Sequence, residues 1–301
     1  MNDAAEWRCG YVALVGAPNA GKSTLLNQLV GAKVSIVSPK VQTTRSRVLG
    51  IAIAGAAQII FVDTPGIFAP RRRLERAMVA AAWAGAEDAD IVVLLIDAER
   101  GIDGDTQHII DGLKEAGRRA VLALNKIDLV ARDSLLPLAA RLSKAGVFDP
   151  VFMISSLTGD GVADLKTYLA GALAPGPWLF PEDQLTDLPQ RLLAAEITRE
   201  QIFLQLHQEL PYAALVETES WEELKDGSVK ISQTIHVQRD SQKAIVLGKG
   251  GQRIKKIGAL ARAELQGMLD RRVHLFLFVR VTENWTEDRE RYRDMGLEFE
   301  S

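Results

Sequence analysis

Residues 16–23 read GAPNAGKS, a pattern that can hold the phosphates of a nucleotide. The pattern fits G-x-x-x-x-G-K-[ST], and it follows an apolar run and precedes a predicted helix, which is the context it needs. Backbone N–H groups of such a loop and of the helix N-terminus surround phosphate oxygens. We expect Lys22 to reach the β- and γ-phosphates and Ser23 to bind Mg²⁺. The predicted loop contacts are Gly16, Ala17, Pro18, Asn19, Ala20, Gly21, Lys22, Ser23 and Thr24.

Residues 125–128 read NKID and end another apolar run. The Asp128 carboxylate can accept hydrogen bonds from N1–H and from the exocyclic amine of guanine. Adenine offers neither group in that arrangement, so a buried Asp128 would be left unpaired. Asn125 can bond both the base and the loop, and the stem of Lys126 can lie along the ring. About a hundred residues after the phosphate loop, this motif predicts GTP or GDP as the ligand.

Residues 63–66 read DTPG and end the apolar run IIFVD. An aspartate at a strand end can hold Mg²⁺ through water, and a glycine N–H can contact the γ-phosphate. The same letters suit a plain turn, but the two motifs above favour the nucleotide role. Between Ser23 and this motif, residues 42–45 read QTTR, and one threonine can complete the Mg²⁺ shell. The predicted contacts here are Asp63, Thr64, Pro65 and Gly66.

Residues 155–159 read SSLTG and follow the last apolar run of this half of the chain. We expect Ser155, Ser156 and Leu157 to support the base from its other side. A serine pair without an adjacent histidine or aspartate does not suggest a hydrolase triad.

Taken together, GAPNAGKST, QTTR, DTPG, NKID and SSLTG make residues 10–173 resemble a translation-factor-type GTPase domain, and most closely the Era family. The resemblance implies Mg²⁺-dependent GTP hydrolysis, with the second threonine of TTR, Thr44, meeting the metal beside Ser23. Ser156 replaces an alanine more usual in the family. Ras-like enzymes place a water-orienting glutamine where this chain has Ile67, so the implied hydrolysis takes another route. The expected catalytic residues are Lys22, Thr44, Asp63 and Gly66.

The elements that position these motifs alternate between apolar runs and amphipathic stretches. Runs that are apolar throughout suit strands covered on both faces, so we predict an α/β P-loop GTPase domain with a mostly parallel sheet. The predicted strands are Tyr11–Gly16, Val48–Ile53, Ile59–Asp63, Asp90–Asp97, Ala120–Asn125 and Val151–Ser155. The predicted helices are Lys22–Val30, Leu74–Ala86, Thr106–Ala116, Leu135–Ser143 and Val162–Leu173. The short connection after the second strand favours an antiparallel hairpin at the sheet edge.

Residues 174–189 contain four prolines, which exclude a continuous helix and predict a linker. We therefore divide the chain into a GTPase domain at 1–173, this linker, and a second domain at 190–301. The second domain has the predicted order helix, strand, strand, helix, helix, strand. Its predicted elements are Gln190–Leu210, Ala213–Glu219, Val229–Val237, Ser241–Leu247, Gln252–Leu269 and Val273–Val281. The last twenty residues, with a net charge of −4, are expected to form a solvated acidic tail.

Residues 248–251 read GKGG between two predicted helices. A GxxG loop can clamp about four nucleotides of single-stranded nucleic acid. A tight turn between two helices accounts for the same sequence equally well. Charge favours the first interpretation, because residues 239–272 carry nine bases and three acids in a chain whose net charge is −3. The segment resembles a type II K-homology (KH) domain, an α+β fold. The expected RNA contacts are Gly248, Lys249, Gly250, Gly251, Arg253, Lys255 and Lys256.

Composition limits the remaining classes of protein. The 301 residues contain 36 Lys and Arg against 39 Asp and Glu, which excludes a protein that coats nucleic acid along its whole surface. The apolar content of 47% excludes a disordered acidic chain. A single cysteine, Cys9, favours a reducing compartment. No apolar run reaches the roughly 20 residues of a membrane helix, and we expect a cytoplasmic protein.

The Era resemblance also implies partners. It implies binding near the 3′ end of 16S ribosomal RNA, a role in assembly of the 30S subunit and some peripheral membrane association. We expect GTP or GDP and Mg²⁺ as ligands, no DNA partner and a monomer. A competing hypothesis is an RNA-binding scaffold in which GTP is a bound ligand and hydrolysis is incidental. A third, an ATP-dependent kinase, is disfavoured by NKID.

Overall fold

A computed structural model describes residues 6–40, 43–206 and 210–299 of the chain. The described residues form two compact units. The first contains residues 6–35, 44–187 and 293–299, and the second contains the rest. The boundary between residues 187 and 188 lies near the end of the predicted linker, so most of that segment is part of the first unit.

The first unit is built on a six-stranded sheet with the order β2-β3-β1-β4-β5-β6. All neighbouring strands run parallel except β2 and β3, which form the antiparallel hairpin predicted at the edge. This sheet confirms the predicted α/β class. The strands are β1 (Arg8–Gly16), β2 (Val48–Ala54), β3 (Ala57–Asp63), β4 (Ile91–Asp97), β5 (Ala120–Asn125) and β6 (Phe148–Met153).

Helices cover both faces of this sheet. Side chains alternate along β1, so Val12 and Leu14 pack in one apolar cluster while Ala13 and Val15 pack in another on the opposite face. Two buried faces explain why the strands are apolar throughout. The helices are α1 (Lys22–Val30), α2 (Arg73–Asp88), α3 (Gly104–Glu115), α4 (Arg132–Ser143) and α5 (Val162–Ala172).

The proline-rich segment lies along the β2–β3 hairpin. The Gln58 side chain accepts from the backbone N–H groups of Leu179 and Phe180 at 2.9 and 3.0 Å. On the outer edge of β2, the N–H of Ile51 donates to Leu185 O at 2.8 Å. The segment therefore satisfies backbone groups that an uncovered edge strand would leave open, a role that its prolines did not indicate.

The second unit has a three-stranded sheet with the order β7-β8-β9. Strands β7 and β8 are antiparallel, and β8 and β9 are parallel. The predicted first helix is too long, because α6 ends at Gln205. The elements are α6 (Gln190–Gln205), β7 (Leu215–Glu223), β8 (Val229–Val237), α7 (Asp240–Leu247), α8 (Gln252–Leu269), β9 (Val273–Val281) and α9 (Arg289–Asp294). Their order matches the predicted KH domain.

The C-terminal residues are not the solvated tail that their charge predicted. Trp285 is buried, and its indole N–H donates to Ala213 O at 2.9 Å. Tyr292 and Leu297 are also buried. These apolar side chains, spaced among the acids, anchor the segment by packing. In the parts of the chain that are described, no helix combines the length and apolar character needed to cross a membrane.

Candidate nucleotide site and glycine-rich loop

The phosphate loop lies between β1 and α1, as its letters predicted. Asn19 and Gly21 have positive φ angles of 64° and 98°, which turn the chain sharply into α1. The Lys22 ammonium is buried and donates to Gly16 O and Ala17 O, both at 3.1 Å. Burial lowers the pKa of Lys22 to about 8, an effect that the charge of Asp63 partly opposes. The lysine is thus already held inside the loop that would receive the phosphates.

Oxygen atoms from three separate segments meet next to this lysine. Ser23 Oγ donates to Asp63 Oδ2 at 2.6 Å and lies 2.9 Å from Thr44 Oγ1. Ser35 Oγ donates to the same carboxylate oxygen at 3.0 Å. Ser35 was not predicted, because a single serine in a loop gives no sequence signal. The other oxygen, Asp63 Oδ1, is buried without a hydrogen-bond partner among the described residues.

This oxygen cluster has the chemistry of a Mg²⁺ site. Hard divalent cations prefer carboxylate and hydroxyl oxygens, and the unpaired Asp63 Oδ1 is an acceptor without a donor. Burial raises the pKa of Asp63, and the hydroxyl groups and Lys22 oppose that rise. The residues present therefore fit the cation that the sequence predicted, with Ser23 and Thr44 next to Asp63.

The DTPG segment is tied to the phosphate loop. Thr64 Oγ1 donates to Leu14 O at 2.9 Å, and the N–H of Ile67 donates to Gly16 O at 3.1 Å. A side chain at Gly66 would come within 3.0 Å of Pro18, so only glycine allows this approach without a shift. Ile67 is fully buried. The position that holds a water-orienting glutamine in Ras-like enzymes is thus part of the core here.

The QTTR segment divides between the two units. Thr44 and Arg45 belong to the first unit, whereas Thr43 groups with the second. Thr43 O accepts from Arg199 Nη2 of α6 at 2.6 Å. Its neighbour Gln42 lies outside the described residues.

Asn125 connects two of the predicted loops. Its Nδ2 donates to Ala20 O of the phosphate loop at 2.7 Å. Its Oδ1 accepts from both the backbone N–H and the hydroxyl of Ser156 at 2.9 Å each. The structure thus brings NKID, SSLTG and the phosphate loop together through one buried amide. The hydroxyl of Ser155 accepts from the N–H of Thr158 at 3.1 Å and shapes its own loop.

Lys126 and Asp128 of NKID do not take part in the contacts that Asn125 makes. Lys126 has a φ of 65°, and its Nζ donates to Asp97 Oδ2 at 2.6 Å. Asp97, at the end of β4, was not predicted, although a carboxylate ending the strand next to NKID was a usable signal. Asp128 is exposed on a 3₁₀ turn at Ile127–Leu129. Leu157 is exposed as well. Both side chains are accessible to a base.

The GKGG loop of the second unit joins α7 to α8. Gly248, Gly250 and Gly251 have positive φ angles of 69°, 58° and 75°. A side chain at Gly250 would meet nothing within 4 Å, so this glycine leaves open space for an approaching backbone. Arg253 Nη1 donates to Ile245 O at 2.7 Å. The exposed side chains at and after the loop include Lys249, Arg253, Lys255 and Lys256.

Comparisons with known proteins agree with both halves. Residues 11–126 match the family model described as "50S ribosome-binding GTPase", and residues 209–286 match the KH domain model. GTPase Era of Rhizobium meliloti (strain 1021) is 63% identical over 98% of this chain and 95% of its own. GTPase Era of Brucella suis is 58% identical over 99% and 96%. The chain belongs to the Era family of GTPases. It is therefore a GTP hydrolase.

Solved Era structures share the whole fold. A variant of Aquifex aeolicus Era bound to GDP and AlF₄⁻ superposes with a TM-score of 0.91 and 41% identity, covering 96% of this chain and 99% of that one. An Era structure in complex with MgGDPNP and nucleotides 1506–1542 of 16S ribosomal RNA gives the same TM-score, identity and coverage. The family assignment thus extends through the KH domain.

Proposed function

We propose that this Era-family GTPase is a GTP-driven switch that binds the 3′ region of 16S ribosomal RNA and assists assembly of the 30S subunit. The observation that carries the proposal is the GKGG loop of the KH domain. The loop has three glycines with positive φ, and exposed lysine and arginine side chains lie at and after it. The Era structure with a 16S RNA fragment supports the same RNA as the partner, given the 41% identity over almost the whole chain.

GTP and Mg²⁺ are the proposed ligands of the first unit. Ser23 and Thr44 would hold the cation, and Asp63, which accepts from both hydroxyl groups, would orient them. A cation held there would supply positive charge to offset the negative charge that develops on the phosphates during transfer. Related Era proteins with bound GDP or MgGDPNP support this assignment.

The chain's own contribution to hydrolysis is mainly electrostatic. Lys22, which donates to two loop carbonyls in the structure, would donate instead to phosphate oxygens, and loop N–H groups would provide further donors. Gly66, which lies against Pro18 of the phosphate loop, would donate its N–H to the γ-phosphate. Ile67, the residue after DTPG, is buried and has an aliphatic side chain, which cannot orient water by a hydrogen bond. Multiple turnover measured with and without RNA separates a switch from a scaffold in which hydrolysis is incidental.

The proposal includes a cytoplasmic, monomeric protein with peripheral membrane contact. Family resemblance supports the location and the membrane contact, and the single cysteine supports a reducing compartment. Fractionation of cells into soluble, ribosomal and membrane pools tests the location directly.

Replacement of both Lys249 and Gly250 by Asp tests RNA binding. The pair places two carboxylates where the phosphate backbone should pass, so we expect loss of binding to a single-stranded 3′-end 16S RNA. GTP affinity and RNA-free hydrolysis should stay near wild type, because these residues belong to the other unit. Fluorescence anisotropy with labelled RNA and a GTPase assay provide the two measurements.

A matched control lies in the β7–β8 turn. Lys225 and Gly227 are also exposed, Gly227 also has a positive φ, and a side chain there also meets nothing within 4 Å. Lys225→Asp with Gly227→Asp therefore makes the same change in charge and backbone strain away from the loop. Equal loss of RNA binding in both double variants would contradict the proposed role of GKGG.

A further inference from the structure

The outer face of β9 displays two neighbouring aromatic rings. Leu275, Leu277, Val279 and Val281 pack against the core of the unit, as alternate residues of a half-buried strand should. The residues between them face outward, and Phe276 and Phe278 are 47% and 58% exposed. Single exposed apolar side chains are ordinary, but two phenylalanines in one row on one strand place two exposed aromatic rings on the same face of the sheet.

Polar and basic residues surround these rings. His274 and Arg280 continue the row at its two ends, and the β8 residues in register with Phe276 and Phe278 are Ser232 and Thr234. Two rings among polar neighbours form a patch much smaller than the roughly 800 Å² per partner of a stable protein interface. The composition resembles instead the sheets on which single-stranded RNA stacks its bases.

The charged residues on and beside this sheet differ in whether they form ion pairs. On β7, Glu217 pairs with His236 and Arg291, each at 2.8 Å, and Glu222 pairs with Lys230 at 3.2 Å. On the β9 side, by contrast, Arg280 and the α7 residue Lys243 have no ion pair within the described part of the chain. Glu217 and Glu222 of β7 are thus paired, whereas Glu219 of the same strand has no ion pair among the described residues. Arg280 and Lys243, beside the aromatic row, remain available to phosphates.

A cleft next to Phe278 connects the aromatic row with α7. It has a volume of about 730 Å³ and is lined by Phe278 and Arg280 of β9, Lys243 and Asp240 of α7, Thr234 and Glu219. Helix α7 has eight residues, about 12 Å in length, and it ends at the GKGG loop. A strand of RNA held by that loop is therefore within one short helix of the cleft.

We propose that the outer face of β9 is a second RNA-contacting surface, on which bases stack against Phe276 and Phe278 while the phosphates lie beside Arg280 and Lys243. The inference rests on the proposed RNA binding and extends it from the GKGG loop to a longer single strand. Stacking is tolerant of base identity, so this surface adds length and affinity without requiring a particular sequence.

The surface is tested by substitutions that distinguish the aromatic character of these side chains from their apolar character. Phe276→Leu with Phe278→Leu removes both rings but keeps apolar side chains, whereas Phe276→Trp with Phe278→Trp keeps the stacking ability. Leu224→Ala, at a similarly exposed apolar residue in the same unit, is the control. Affinity is measured by anisotropy with labelled single-stranded RNAs of four and twelve nucleotides, and thermal unfolding checks that each variant is folded.

We expect the leucine pair to bind the twelve-nucleotide RNA at least tenfold more weakly than wild type. Its affinity for the four-nucleotide RNA should be unchanged, because the GKGG loop is intact. The tryptophan pair and Leu224→Ala should bind both RNAs like wild type. Arg280→Gln should flatten the salt dependence of binding to the longer RNA by about one unit of slope.

Three outcomes would count against these ideas in different ways. If wild type binds both RNAs and the leucine pair binds both equally well, the β9 surface is wrong while RNA binding by the loop stands. If the leucine pair instead converts a wild-type dimer to a monomer with unchanged RNA affinity, the face is a self-association surface and the inference is overturned. If wild type binds neither RNA, the proposed RNA binding itself fails.

Discussion

The loops of the nucleotide site and the GKGG loop differ in how their polar side chains are held. In the first unit, Lys22, Asp63 and Asn125 are buried and tied to neighbouring loops by hydrogen bonds. In the second unit, Lys249 and Lys256 are exposed to solvent, and neither forms an ion pair with any described residue. A nucleotide has one shape, so preorganised donors and acceptors suit it. A flexible polyanion is instead attracted by exposed charge.

The contrast predicts different sensitivities to mutation. In the nucleotide site, whose loops are joined by hydrogen bonds, one misplaced atom should affect several loops at once. Around the GKGG loop, loss of a single cation should cost one phosphate contact and leave the others in place. The following substitutions test the first half of this contrast, beginning with the change expected to be most damaging.

Gly21→Ala should cause the largest loss. A Cβ at this position would lie 2.2 Å from Asn125 Nδ2, and the φ of 98° is unfavourable for alanine. Strain of about 1–3 kcal/mol for the backbone, added to loss of the Asn125–Ala20 bond, should weaken GTP binding a hundredfold or more. Isothermal titration calorimetry measures the affinity.

The matched control for that change is Gly31→Ala at the other end of α1. Gly31 also has a positive φ, 81°, but a Cβ there meets nothing within 4 Å. It should reduce thermal stability without a specific effect on GTP. If both variants bind GTP equally well, the close approach at Gly21 is not required by the site.

Lys22→Ala should have the next largest effect. It removes the buried cation that faces the phosphates, and a hydrogen bond to a charged group contributes roughly 1.5–3 kcal/mol. GTP affinity should therefore fall at least tenfold. Lys166→Ala is the control, because Lys166 is partly buried and donates to the backbone carbonyl of Leu29 at 2.9 Å. Unchanged GTP affinity in Lys22→Ala would contradict the assigned role.

Asp128→Asn tests the exposed part of the same site. An amide in place of the carboxylate repels the amine of guanine but can donate to the carbonyl that xanthine carries there. GTP affinity should fall about tenfold, and the preference should move toward XTP. Asp133→Asn, at another exposed acid, should change neither. A variant at position 128 that still prefers GTP as strongly as wild type would show that Asp128 does not read the base.

The sequence predicted those parts of the molecule whose chemistry requires particular residue types. The phosphate loop and NKID could be read because a nucleotide allows few alternatives at Gly21, Lys22 or Asn125. The fold class followed from apolar runs between these motifs. Ser35 and Asp97 could not be found in the same way, because their roles depend on which distant segments the fold brings together.

Packing explains the other differences. The prolines of residues 174–189 correctly excluded a helix, but they gave no sign that Gln58 would bind this segment to the hairpin. Net charge suggested a solvated C-terminus, yet Trp285 and Tyr292 are buried. A few apolar side chains outweigh many surface charges, because burial of each stabilises by roughly 1.5–3 kcal/mol while exposed charges contribute little.

Ser156→Ala should have the smallest effect. It tests how strongly the nucleotide site depends on a single hydrogen bond to Asn125. The Ser156 hydroxyl and backbone N–H both donate to Asn125 Oδ1 at 2.9 Å. The substitution removes only the hydroxyl, so Asn125 keeps its backbone donor and its bond to Ala20. A hydrogen bond of this kind contributes about 1 kcal/mol, which predicts at most a fewfold weaker GTP binding by calorimetry. Asn125→Ala removes all three bonds and should be far more damaging. If Ser156→Ala were equally damaging, the hydroxyl rather than the backbone would hold the loops together.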